Sequence, residues 1–162
     1  MKQRTIKSDI EIVGIGLHKG VPVRMRLEPL PSNSGIIIYR SDAAVTIPLK
    51  KEYVVDTKMA TVLGKDGVVV STIEHLLSAI YAYGIDNLRV VLDNDEIPIL
   101  DGSASGYCML IEEAGIQEQE ESKKAIKIKK EVVVTTEDGK RVSLKPSNRI
   151  VYDFEIKFNH PA

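Results

Sequence analysis

Ser71-Thr72-Ile73-Glu74-His75-Leu76-Leu77-Ser78-Ala79-Ile80-Tyr81-Ala82-Tyr83-Gly84 reads as one helix with both ends marked. Ser71 suits an N-cap, and Glu74 three residues later completes a capping box. Gly84 stands where a left-handed residue closes a helix. Ile73, Leu76, Leu77, Ile80 and Tyr81 recur at i, i+3, i+4, i+7 and i+8 and form an apolar stripe. At about 100° per residue, His75 falls on the far side of that stripe, with Ser78, Ala79 and Ala82 around it. A solvated helix face carries Lys and Glu. A histidine among small residues marks a face that something approaches closely.

The Glu74-His75 pair has two readings. In one, Glu74 completes the cap and His75 is a surface histidine. In the other, His75 binds a metal and Glu74 moves protons on a metal-bound water, a use that suits a carboxylate beside an imidazole at a helix start. A catalytic zinc takes about three protein ligands, so one histidine is not a site by itself.

The surrounding chain bounds these readings. Its 162 residues suit one domain or slightly more, and 43% hydrophobic with 28% charged residues supports a packed core. A net charge of −1 gives no support to nucleic-acid binding. There is no apolar run of about 18 residues to span a membrane. No apolar segment follows Lys2, Arg4 and Lys7, so no secretory signal is read. The single cysteine, Cys108, lies in an apolar segment as a buried thiol, and no disulfide can form within the chain. A cytoplasmic location is expected.

Ahead of the helix, residues 5–13 alternate apolar and polar as one strand, and residues 21–27 alternate again. Between them, Gly14-Ile15-Gly16-Leu17-His18-Lys19-Gly20 carries three glycines in seven residues and forms a tight connection. This is no dinucleotide fingerprint, because no third glycine opens a helix. His18 at the hairpin tip is read as structural. Residues 29–35 form a turn and 35–40 a strand. Residues 41–64 are irregular, with short strands at Ile47 and Val54-Val55. A hairpin over 61–70 runs into the helix.

After Gly84, residues 87–92 form an apolar strand under the helix. The acidic Asp93-Asn94-Asp95-Glu96 lacks the spacing of a calcium loop and is read as a turn. Asp101 and Ser103 are candidate caps for a second helix over 104–114, closed by Gly115. The polar run 118–124, Glu-Gln-Glu-Glu-Ser-Lys-Lys, marks a linker. Strands resume at 125–134, 141–144 and 150–158.

Leu144-Lys145-Pro146, Ser147-Asn148 and the apolar run from Ile150 echo Leu27-Glu28-Pro29, Ser32-Asn33 and the strand from Ile36. That echo suggests a duplicated β-rich unit whose second copy stops before its helices. The expected organisation is a first α+β layer over 1–119, a linker at 120–124, and the start of a second, similar domain over 125–162.

Seven stretches, in order along the chain, resemble the UDP-3-O-acyl-N-acetylglucosamine deacetylase family. They are Gln3-Arg4-Thr5, Gly14-Ile15-Gly16-Leu17-His18, Asp56-Thr57, Ser71-Thr72-Ile73-Glu74-His75-Leu76, Gly84-Ile85-Asp86-Asn87, Glu96-Ile97-Pro98-Ile99-Leu100-Asp101-Gly102-Ser103 and Phe158-Asn159-His160-Pro161. The resemblance implies two similar α+β layers, each a sheet packed on two helices, with the active site between them. It implies zinc-dependent hydrolysis of the substrate's acetamide, the committed step of lipid A synthesis in Gram-negative bacteria.

His75 is implied as the first zinc ligand and Glu74 as the general base. Phe158, with Lys157 beside it, falls where the family contacts the substrate head group. The family draws its other ligands, a His and an Asp, from a second half, together with an oxyanion-stabilising Thr and a catalytic His. None of these has a counterpart here, and neither His18 nor His160 sits in a matching ligand motif. The implied partner is a UDP-sugar acyl substrate, with peripheral contact with the inner membrane and self-association through the tail as further expectations. The alternative is a non-catalytic fragment that keeps only the first domain and part of the metal site.

Overall fold

A computed structural model describes residues 1–156. Lys157, Phe158 and His160 lie outside the described residues. The strands are β1 (Lys2–Ile6), β2 (Ile10–Ile15), β3 (Pro22–Pro29), β4 (Ile36–Arg40), β5 (Val45–Pro48), β6 (Val54–Asp56), β7 (Val62–Lys65), β8 (Val68–Val70), β9 (Leu88–Leu92), β10 (Ile116–Ser122), β11 (Val132–Thr135) and β12 (Arg141–Leu144). The helices are α1 (Glu74–Ala82) and α2 (Ser105–Ala114), with a 3-10 turn at Lys51–Tyr53. The fold class is α+β. The chain divides into two compact units, Met1–Lys123 and the residues from Lys124 onward.

In the first unit, five strands form a sheet in the order β2-β3-β9-β4-β5. All neighbours are antiparallel except β4 and β9, which run parallel. The apolar strand after α1 is thus the central one. Burial alternates along β3 and β9, as expected for a sheet with one face on a core. Met25, Leu27, Val90 and Leu92 join Leu76 and Ile80 of α1 and Tyr107 and Ile111 of α2 in one buried cluster. Helix α1 packs on α2. Its core face is Ile73, Leu76, Ala79 and Ile80, whereas Tyr81 is 63% exposed. The sequence reading had Tyr81 and Ala79 the other way round. A helix packed on another helix as well as on a sheet buries a wider arc than one stripe, and a small residue fits the close side.

The segment 5–13 is two strands, not one. The chain breaks at Lys7-Ser8-Asp9, where the Lys7 N–H donates to the Gly115 carbonyl at 2.9 Å. β1 then pairs with β10, and β2 with β3. The polar run 118–124 is therefore mostly strand rather than linker. Arg4 lies opposite Glu118 and Lys2 opposite Ser122. Backbone bonding supplies the pairing while most β10 side chains face water, so no hydrophobic alternation announces it.

β10 half-buries Ile116 against the core and Gln119 in a polar network. Asn87, fully buried, donates to Gln3 Oε1 at 2.8 Å and Gln119 Oε1 at 2.7 Å, and accepts the Gly35 N–H at 2.9 Å. Gln119 donates on to the Leu30 carbonyl at 2.8 Å. Because each buried polar group left without a partner costs about 1–3 kcal/mol, Asn87→Ala is expected to lose about 3 kcal/mol. A urea titration checks this, and a loss under about 1 kcal/mol would mean that water replaces the amide.

The irregular stretch after β4 is more ordered than its sequence suggests. β5 joins the main sheet, and β6, β7 and β8 form a three-stranded sheet of their own. In the second unit, β11 and β12 pair as a hairpin through a turn in which the Gly139 N–H donates to the Thr136 carbonyl at 3.0 Å. The expected strand over 125–134 shrinks to Val132–Thr135, and the described part of the last expected strand, 150–156, has no regular structure. No helix among the described residues is long and apolar enough to cross a membrane.

Candidate active site

The start of α1 is built by a clamp rather than by a capping box. Ser71 forms a parallel bridge with Glu96. Its N–H donates to the Asp95 carbonyl at 2.9 Å, and its carbonyl accepts the Ile97 N–H at 3.0 Å. The Ser71 hydroxyl also donates to Asp95 O, at 3.3 Å, so it does not cap the helix. Thr72 then adopts φ +58°, and the N-cap position falls on Ile73, which makes no side-chain cap bond. Fixed as a bridge residue, Ser71 lies too far back to reach the first helical N–H groups.

The far end follows the sequence closely. Gly84 has φ +62°, its N–H donates to Tyr81 O at 3.0 Å, and the Ile85 N–H donates to Ile80 O at 3.0 Å. These two bonds are a Schellman closure.

Freed from the capping box, the Glu74 carboxylate accepts the backbone N–H of Thr61, from the loop ahead of β7. Burial pushes this carboxyl up. Its own N–H, the N–H and hydroxyl of Thr61 and the charge on His75 together bring it below the ordinary value. The Glu74 carboxylate is therefore ionised at neutral pH, and it sits at the favourable end of the helix dipole. His75 beside it is half-buried, and Ser78 and Ala82 on its face are exposed. The small-residue face read from the sequence is present, without Ala79.

Asp101, expected as a helix cap, braces the entry to α2 instead. Its Oδ1 accepts the Ser103 N–H at 3.0 Å, and Ser103 Oγ accepts the Ser105 N–H at 3.0 Å, while the N-cap position is Ala104. The Ser103 N–H and hydroxyl draw the Asp101 carboxyl below its ordinary value, and the charge on His75 adds to this.

Sequence reading missed Thr61, Thr72 and Glu96 as contributors. Glu96 was one of four residues read as an acidic turn, and only its burial, at 2% exposure, separates it from its neighbours. The hairpin tip is held by that residue. Gly16 is required there, since a Cβ would lie 2.4 Å from Glu96 Oε2. His18 contributes its backbone, and its side chain is exposed.

His75 offers one imidazole to a metal. Among the described residues, no group of three His, Cys, Asp or Glu side chains is placed to hold one. Since a catalytic zinc takes about three protein ligands, the described residues do not by themselves make a zinc site.

A family model for UDP-3-O-acyl N-acetylglycosamine deacetylase matches residues 3–162. A protein of Aliarcobacter butzleri named UDP-3-O-acyl-N-acetylglucosamine deacetylase is 82% identical over the whole chain, which covers 54% of that relative's length. Namesakes from Nautilia profundicola and Helicobacter hepaticus are 65% and 62% identical over the whole chain, covering 55% and 54% of their lengths. These matches place the chain in a family whose members are named as deacetylases, a class of hydrolase. It belongs to the UDP-3-O-acyl N-acetylglycosamine deacetylase family, and it spans about half the length of the curated relatives it matches.

Proposed function

We propose that this chain carries the proton-transfer half of a zinc-dependent deacetylase site that removes the acetyl group of UDP-3-O-acyl-N-acetylglucosamine in lipid A synthesis, in the cytoplasm. The observation that carries the reading is the pairing of Glu74 and His75 in the first turn of α1, with the Glu74 carboxylate tethered to the Thr61 N–H. The name and close identity of the relatives support the substrate.

In this reading His75 holds the metal with ligands from outside the described residues. When bound, zinc polarises a carbonyl and acidifies its water. The chain's own part is to present Glu74 as the base that takes a proton from the attacking water and to keep its carboxylate aimed through Thr61. Phe158 and Lys157 are proposed to contact the head group. The second reading, a non-catalytic product of this segment, is favoured by the lack of a three-donor group among the described residues.

A chimera tests the choice. The chain is joined to the remaining length of the Aliarcobacter butzleri relative, and acetate release from UDP-3-O-acyl-N-acetylglucosamine is measured. Zinc-dependent release is expected, and a folded chimera that releases none would sink the catalytic reading. Residues 1–162 alone are expected to retain well under one zinc per chain after dialysis, because a lone imidazole binds weakly. Stoichiometric zinc surviving a chelator wash would mean that the chain completes a site by itself.

A further inference from the structure

Glu96 is buried, yet no cation pairs with it among the described ion pairs. Its carboxylate is satisfied by neutral donors from two separate segments. Oε1 accepts the His18 N–H at 3.0 Å and the Thr72 hydroxyl at 2.9 Å, and Oε2 accepts the Lys19 N–H at 3.3 Å. Thr72 has φ +58°, a conformation costly for a β-branched residue and held only where the surroundings over-determine it. The strain sits two residues ahead of Glu74. The surroundings that hold it are the Ser71–Glu96 bridge behind and the Glu96 carboxylate on its hydroxyl.

We propose that Glu96 is a positioning residue for the Glu74-His75 pair: through the Thr72 hydroxyl it fixes the left-handed turn that launches α1 and so sets Glu74 against Thr61. The same carboxylate ties the β2–β3 hairpin tip to the turn. A shift at the tip therefore reaches α1 through one side chain. The inference rests on the reading of Glu74 and His75 as reacting groups only for its functional meaning. The structural coupling can be tested without it.

The hydroxyl separates coupling from mere packing. Thr72→Ser keeps the donor and drops the methyl, while Thr72→Val keeps the shape and drops the donor. Glu96→Met keeps about the same length and removes both acceptor oxygens, so the Thr72 hydroxyl and the His18 and Lys19 N–H groups lose their acceptor. The readout is the backbone amide of Thr61 in NMR spectra of the full chain, since its bond to a carboxylate shifts it downfield and slows its exchange.

Wild type and Thr72→Ser are expected to share a downfield, protected Thr61 amide. In Thr72→Val and Glu96→Met it should move upfield and exchange about tenfold faster or more, with the β3 and β9 amides unchanged. An unmoved Thr61 amide in both loss variants overturns the proposal. So does a Thr72→Ser spectrum as perturbed as that of Thr72→Val. Global unfolding of both loss variants would mark Glu96 as a structural anchor only and likewise overturn it. Failure of the chimera to release acetate bears on the catalytic reading alone, because the Thr61 amide reports position whether or not the protein is an enzyme.

Discussion

Glu74→Gln in the chimera is expected to lower kcat by about 10²-fold or more while zinc content and KM change little. The substitution is nearly isosteric. Because Ser71 is held in the bridge to Glu96 and the helix begins without a side-chain cap, Glu74 has no capping role to lose. A glutamine oxygen can still accept the Thr61 N–H, so the tether survives in weaker form. What disappears is the proton acceptor. Because the tether and neighbouring charges hold this carboxyl below its ordinary value, wild-type Glu74 stays ionised well into mild acid. Loss of activity in that range would then have to come from another group. Glu74→Asp is the sharper control, since it keeps the charge but falls a methylene short of Thr61. If Glu74→Gln retained more than about a tenth of wild-type kcat in folded, zinc-loaded protein, Glu74 would be a tether and not the base.

The parts of this site that were legible in the sequence are those with a local signature. The Glu-His pair, the Schellman closure at Gly84 and the small residues Ser78 and Ala82 beside His75 each depend on neighbours within a few positions. The start of α1 was misread for the opposite reason. Ser71 and Glu74 match a capping box in sequence, but a bridge from residues 95–97 outbids it, and nothing near Ser71 encodes that bridge. Glu96 escaped notice because its burial is set by Gly16 and Thr72, distant in the chain. The central strand β9 was plain from its apolar run. β10 was not, because a strand held by backbone pairing and amide side chains looks like a polar linker. The head-group contacts expected at Lys157 and Phe158 fall outside the described residues and stand as proposals.

The boundary of the first unit carries the last expected result: residues 1–123 should fold more stably than residues 1–119 by about 3 kcal/mol, roughly a 10 °C difference in Tm. Ending the first domain at Gln119, as the charge run suggests, removes Ser122 from opposite Lys2 and strips an acceptor from Gln3, whose Nε2 donates to the Ser122 carbonyl at 3.1 Å. It also removes Lys123. That residue's N–H donates to Met1 O at 2.9 Å, and its ammonium pairs with Asp86 at 2.9 Å and donates to Gly84 O at 2.5 Å. The ion pair is largely shielded, with side-chain exposures of 18% and 28%, so it outweighs a typical surface pair. Gly84 is also the residue that closes α1, so the loss reaches the helix that carries Glu74 and His75. Trypsin offers a second readout on the full chain. Lys123 is tied down whereas Lys124, Lys127, Lys129 and Lys130 are exposed or lie in segments without regular structure. The first cuts should therefore fall after 124–130 and leave a fragment beginning at Met1 and retaining Lys123. Equal urea midpoints for the two fragments, or a first cut before Ser122, would mean that β10 does not hold the edge of the unit and that the domain ends where its charge pattern says.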